Sequence, residues 1–180
     1  AVLDALAAAP PRVGMDAVPD RLEHAAICPP EIVRRIAAGG VAVVTQPAFV
    51  AWRGDKYRRE VEEPLHDWLY PLRDLRTAGV TVAAGSDAPV APLDPRLGLD
   101  GAVRRTTRDG AVVGARQALG EAAALELFTT APARLRGEAA APVLAPGAAA
   151  DVLLVEAASW RDRWRGVRVL HTLRAGRVVA

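Results

Sequence analysis

Asparagine is missing from these 180 residues, lysine occurs once, as Lys56, and cysteine once, as Cys28. A lone cysteine excludes an internal disulfide and suits a reducing compartment, so a cytoplasmic setting is expected. No apolar stretch approaches the roughly 20 residues that span a bilayer, which argues against membrane insertion. The N-terminal "AVLDALAAAP" carries Asp4 and no basic leader, and it reads as a helix end rather than a signal peptide. Met15 is the one methionine, and a chain that opens mid-pattern looks like the tail of a longer one. A block of one charge is also missing. Lys and Arg together number 23 against 21 acids, mixed along the chain, which argues against nucleic acid as the main partner. The densest basic cluster, Arg104, Arg105 and Arg108, reads as a solvated helix face, with anion binding as the lesser alternative.

What is present is an apolar majority, 51% of the chain, enough for a real core. In the first half, short strand-like runs alternate with helix-like ones, the pattern of a parallel α/β architecture. Residues 21–25, 41–46 and 80–86 read as strands. Between the first two, "PPEIVRRIAAGG" offers proline at a helix start, Ile32, Val33 and Ile36 at helical spacing, and Gly39 at the stop. Residues 48–64, rich in charge, read as an irregular or functional loop, with Trp52, Arg53 and Tyr57 overhanging the active face to contact substrate. "HDWLYPLRDLRTAG" predicts a helix with Leu69, Leu72 and Leu75 inside and Gly79 ending it, with Pro71 in its first turns or kinking it. Further helices are expected near 99–107 and over 121–130, the second stopped by Pro132. A Pro/Ala/Gly linker over 137–150 leads to "DVLLVE", "VRVLHTL" and "RVVA", strand-like runs of which the last two flank Arg174-Ala175-Gly176 as a hairpin.

Three strand ends hold polar groups: His24 in "RLEHA", Gln46 in "VAVVTQP" and Asp87 in "AAGSDAP". The carboxyl ends of parallel strands form the functional face of such folds, so the three can converge although distant in sequence. Alternation sets Asp87, Gly85 and Ala83 on one face, suited to a barrel interior, and Val80, Val82 and Ala84 on the other, suited to a helix layer. Imidazole and carboxylate are both good ligands for a divalent cation such as zinc. From the residues alone, a hydrogen-bonded core histidine and an aspartate capping the next turn is the stronger reading. Cys28 has no suitably spaced histidine partner and reads as a small buried thiol. "GSDAP" lacks the glycine spacing of a phosphate-binding loop.

The order of "RLEHAAICPPEIVRRIAAGGVAVVTQP", "PLRDLRTAGVTVAAGSDAPV", "DPRLGLDGAVRR", "LFTTAPARL", "LAPGAAADVLLV" and "HTLRAGRVVA" resembles the C-terminal third of the amidohydrolase superfamily. Its nearest branch is amidohydrolase family 3, which includes enzymes like N-substituted formamide deformylase. The resemblance implies the C-terminal part of a metal-dependent TIM-like (β/α)8 barrel followed by strands of a small β-sandwich. Residues 1–136 would hold about strands six to eight, 137–150 the linker and 151–180 the sandwich strands. It implies that His24 is a metal ligand and that Asp87 both contacts metal and moves protons. The cofactor would be one or two divalent ions, zinc in the first place, and the reaction hydrolysis of a non-peptide C–N bond in a small-molecule substrate. The family's other ligands would precede Ala1, and His66 and His171 do not replace them. Glu156 stands where the family often has aspartate. The alternative is a non-catalytic fragment or split-protein part that needs the missing N-terminal segment or associates with itself, because about three βα units leave strand edges unpaired.

Overall fold

Apolar runs with no polar face need cover on both sides, and helices of the same chain supply it. The structure, a computed structural model, describes residues 1–9, 18–137, 143–157, 164 and 166–180. It divides into two units, Ala1–Ala139 and Ala140–Ala180. In the first, β1 (Arg21–Glu23), β2 (Ala42–Thr45) and β3 (Val82–Ala84) form a parallel sheet in that order. Glu23 lies level with Val44, and Thr45 with Ala84. Each strand is shorter than the sequence suggested. β1 stops because His24 and Ala25 turn into left-handed conformations, with φ of 68° and 46°. Val82 and Ala83 are both buried. Ala83, with Ala42 and Val44, packs against Ala131 and Leu135 of α7 (Thr130–Leu135), so the small-residue face of β3 is itself covered by a helix.

The remaining helices of this unit are α1 (Val2–Ala8), α2 (Pro30–Ala38), α3 (Ala48–Glu60), α4 (Leu72–Thr77), α5 (Pro95–Val103) and α6 (Glu121–Phe128). In α2, Pro30 takes the first helical position, where no amide donor is needed, and Val33 and Ile36 face the core. The reversal after α2 falls on Gly40, at φ 62°, rather than on Gly39.

Several expectations are corrected. Residues 48–60 form α3, not a loop, and its first turn, Ala48, Phe49 and Val50, is buried. Gly54 is buried too, because a methyl there would lie 2.5 Å from Thr107 Cγ2. Trp52 and Tyr57 pack against the cluster of Phe49, Leu69, Tyr70 and Val113, and the Arg53 guanidinium lies 5.4 Å from the Phe49 ring centre. These side chains are half-buried and engaged with the core. α5 begins at Pro95, earlier than expected, because Asp94 caps it by accepting from the Arg96 amide at 3.0 Å. Gly101 lets α5 approach the start of α3: a methyl there would sit 2.1 Å from the Pro47 carbonyl oxygen. Pro132 does not stop the last helices; it sits in the first turn of α7, where its missing N–H costs nothing.

The expected single helix over 66–79 is broken. A 3-10 turn, Glu63–Trp68, ends before Leu69, and α4 starts after Pro71. Proline disfavours a helical residue before it, and Tyr70 adopts φ 45°. The break takes the Leu69 and Tyr70 carbonyls out of a helical ladder; the Tyr70 carbonyl accepts from the Leu72 amide at 2.8 Å, and Arg105 donates to both. Its Nη2 donates to Leu69 at 2.6 Å, its Nη1 to Tyr70 at 3.1 Å and its Nε to Val113 at 3.0 Å. Arg105 is 0% exposed, so the solvated-face reading of the arginine cluster fails for it. Burial pulls its pKa down to about 10, which leaves it cationic at neutral pH. Arg108 stacks 3.7 Å from the centre of the Trp52 ring.

The second unit contains β4 (Val152–Glu156), β5 (Arg168–Arg174) and β6 (Arg177–Val178), all antiparallel in that order. The expected hairpin is present. Arg174 pairs with Arg177 across Ala175 and Gly176, whose φ of 48° and 75° suit a two-residue turn matched to strand twist. Within the expected linker, residues 138–142 lie outside the described residues. No helix among the described residues is long and apolar enough to cross a membrane.

Candidate active site

The three parallel strands end at nearly one level, and backbone bonds hold the segments that follow. The His24 amide donates to the Val44 carbonyl at 2.8 Å, the Thr45 hydroxyl to the His24 carbonyl at 2.7 Å, and the Gly85 amide to the Thr45 carbonyl at 3.0 Å. His24, Gln46 and the Gly85–Asp87 segment therefore leave the carboxyl ends of adjacent strands. His24 and Asp87 share a further property: both have positive φ, 68° and 55°. Histidine and aspartate tolerate this region better than most residues, though it remains uncommon.

Both side chains are exposed. His24 is hydrogen-bonded but not a core residue: its Nδ1 lies 2.9 Å from Oε1 of Gln46, itself only 4% exposed. The sequence placed Gln46 at a strand end without a partner; a polar residue closing an apolar strand was the available signal. Asp87 does not cap the following turn with its carboxylate. Its carbonyl accepts from the Val90 amide at 2.8 Å, and the neighbouring Ser86 hydroxyl accepts from the Ala88 amide at 3.3 Å. The alternation expected to aim Asp87 inward stops with β3 at Ala84.

Cys28 is buried, its thiol 3.5 Å from the Ala25 carbonyl, and burial raises its pKa to about 11. A protonated thiol is a poor nucleophile, which fits the structural role expected of it. His66 shares its Nε2 with the Val61 carbonyl at 2.9 Å, and His171 is an exposed residue of β5. His66 does not join His24. Among the described residues no three His, Cys, Asp or Glu side chains group as a metal cage. A cavity of about 140 Å³ lies beside Gly85 and Ser86, lined also by Ala48, Leu93, Asp94 and Phe128. That is below the roughly 300–1,000 Å³ of typical ligand pockets.

The amidohydrolase family model matches residues 1–180, and the chain belongs to that family. It is similar to YtcJ of Bacillus subtilis (strain 168), a protein named as an amidohydrolase, at 36% identity over 108 residues, covering 58% of this chain and 19% of that protein. It is 33% identical over 144 residues to the N-substituted formamide deformylase of Arthrobacter pascens, covering 76% of this chain and 25% of that enzyme. Among solved structures, an uncharacterized metal-dependent hydrolase of Pyrococcus horikoshii OT3 superposes with a TM-score of 0.62 at 28% identity, over 76% of this chain and 27% of that one. The chain thus spans about a fifth to a quarter of the curated relatives it matches.

Proposed function

We propose that these residues form one side of the metal centre of a hydrolase acting on non-peptide, amide-type C–N bonds. The observation that carries the reading is the placement of His24 and Asp87, both exposed and both turned into left-handed backbone just past the ends of β1 and β3. On this reading β1, β2 and β3 are strands six to eight of a (β/α)8 barrel, residues 137–150 are a linker, and residues 151–180 contribute to a small β-sandwich. Names of similar proteins, an amidohydrolase, a formamide deformylase and a metal-dependent hydrolase, support the reaction class.

The donor set fits a divalent cation such as zinc, since one imidazole and one carboxylate are the ligand types it takes. His24 and Asp87 would hold it. Bound there, such an ion supplies Lewis acidity and a water that ionises near neutral pH. Asp87 then accepts a proton from the attacking water and returns it to the departing nitrogen, work that an exposed carboxylate at the strand rim can do. His24 orients the site and carries no proton in the reaction.

A second reading is favoured by the ligand count. Catalytic zinc sites use three protein ligands, and this pair supplies two. The 180 residues by themselves would then be inactive, with the remaining ligands supplied by polypeptide outside them. The test is carried out in the protein that contains this chain together with those ligands, on a panel of N-substituted formamides and simple amides. Asp87→Asn is expected to lower kcat by about 10²–10⁴ with little change in KM. His24→Ala is expected to reduce bound zinc. Unchanged turnover in both variants overturns the first reading, and stoichiometric zinc in the isolated 180 residues overturns the second.

A further inference from the structure

We propose that Gln46 is a positioning residue that fixes which ring nitrogen of His24 carries the proton, keeping Nε2 free to act as a donor atom. The inference rests on the reading of His24 as a ligand for its use, but not for its test. The geometry is specific. Gln46 follows β2, the strand hydrogen-bonded to β1, and its Oε1 faces His24 Nδ1 at 2.9 Å. An amide oxygen can only accept, so the proton belongs on Nδ1 and the lone pair on Nε2. If the amide were turned over, its NH2 would donate to Nδ1. The proton would then move to Nε2 and block that atom as a ligand.

The backbone that carries the amide is held in place. Gln46 is buried, and its carbonyl accepts from the Phe49 amide at 3.0 Å, tying it to the first turn of α3. Pro47, next in sequence, is pressed by α5 at Gly101. On the other side, the His24 backbone is anchored by its amide and carbonyl bonds to Val44 and Thr45. Metal-binding histidines commonly have their second nitrogen occupied in this way, by a partner that sets the tautomer. Here the partner is a neutral side chain on the adjacent strand, and it would act before any ion arrives.

The chain has three histidines, which makes the test direct. Long-range ¹H–¹⁵N correlation spectra of the ¹⁵N-labelled, metal-free 180-residue chain, at alkaline pH where imidazoles are neutral, distinguish protonated from lone-pair nitrogens. His66 is an internal reference of the opposite kind, because its Nε2 faces a carbonyl and must donate. The expected result is Nδ1–H as the dominant form of His24 in the wild type. Gln46→Leu should lose that dominance and shift His24 toward Nε2–H while His66 is unchanged. Gln46→Glu, which keeps an acceptor, should retain Nδ1–H. A wild-type His24 protonated mainly on Nε2 overturns the proposal. So does a Gln46→Leu chain with an unchanged His66 pattern in which Nδ1–H persists. If Gln46→Leu loses the His66 pattern through unfolding, the wild-type and Gln46→Glu spectra decide. Neither metal nor turnover enters the measurement, so a failure of His24 as a ligand would appear separately, in zinc content.

Discussion

Two sheets of three strands sit in opposite environments. In β1–β3 the central residues Val43, Val82 and Ala83 are buried, whereas in β4 the consecutive Leu153, Leu154 and Val155 are all exposed. The difference lies in what packs on each sheet. Parallel strands cannot be joined by a tight turn, so helical segments intervene between β1, β2 and β3, and α7, which follows them, packs on the sheet. β5 and β6 are joined by a two-residue turn, and that economy brings no helix with it. Apolar composition therefore announces a strand, but the helices packed on it determine whether the strand is covered.

The comparison is broken most severely at Arg105. Arg105→Ala removes three charge-assisted bonds and leaves a cavity, at an expected cost of about 3–5 kcal/mol in urea denaturation. A loss below about 1 kcal/mol would show that the Leu69 carbonyl finds another donor. The next two variants repeat one chemical change in both regions. Leu72, fully buried in α4, should cost about 2–5 kcal/mol as Leu72→Ala. Leu153, 59% exposed in β4, should change stability by no more than about 0.5 kcal/mol as Leu153→Ala. Equal losses at the two leucines would mean that the second sheet is covered in solution and that the contrast is not a property of the fold.

How far these features could be read from the sequence depended on where their partners lay. α2 was legible because its own residues carry every signal: proline at the start, Val33 and Ile36 inward, glycine beyond the end. The hairpin at Ala175-Gly176 was legible for the same reason. α3 was not, because it shows no regular apolar stripe. Its burial falls on one turn and on Gly54, and what Gly54 accommodates is Thr107, far along the chain. Arg105 was misread because its acceptors are backbone carbonyls, which have no letter in a sequence. At the candidate site, His24 and Asp87 were legible as polar residues ending apolar runs. Their left-handed backbone and the Gln46 contact were not, since both depend on how β1 and β2 finish side by side.

Gly101 acts as a gauge of zero thickness. With no side chain there, α5 rests directly on the Pro47–Ala48 peptide group, so the spacing between those two pieces of backbone is set by contact alone. Any side chain at position 101 would be a shim pressed onto the backbone at the start of α3. Alanine and valine at this one position would thus form a graded mechanical probe of how firmly α5 is seated on the start of α3.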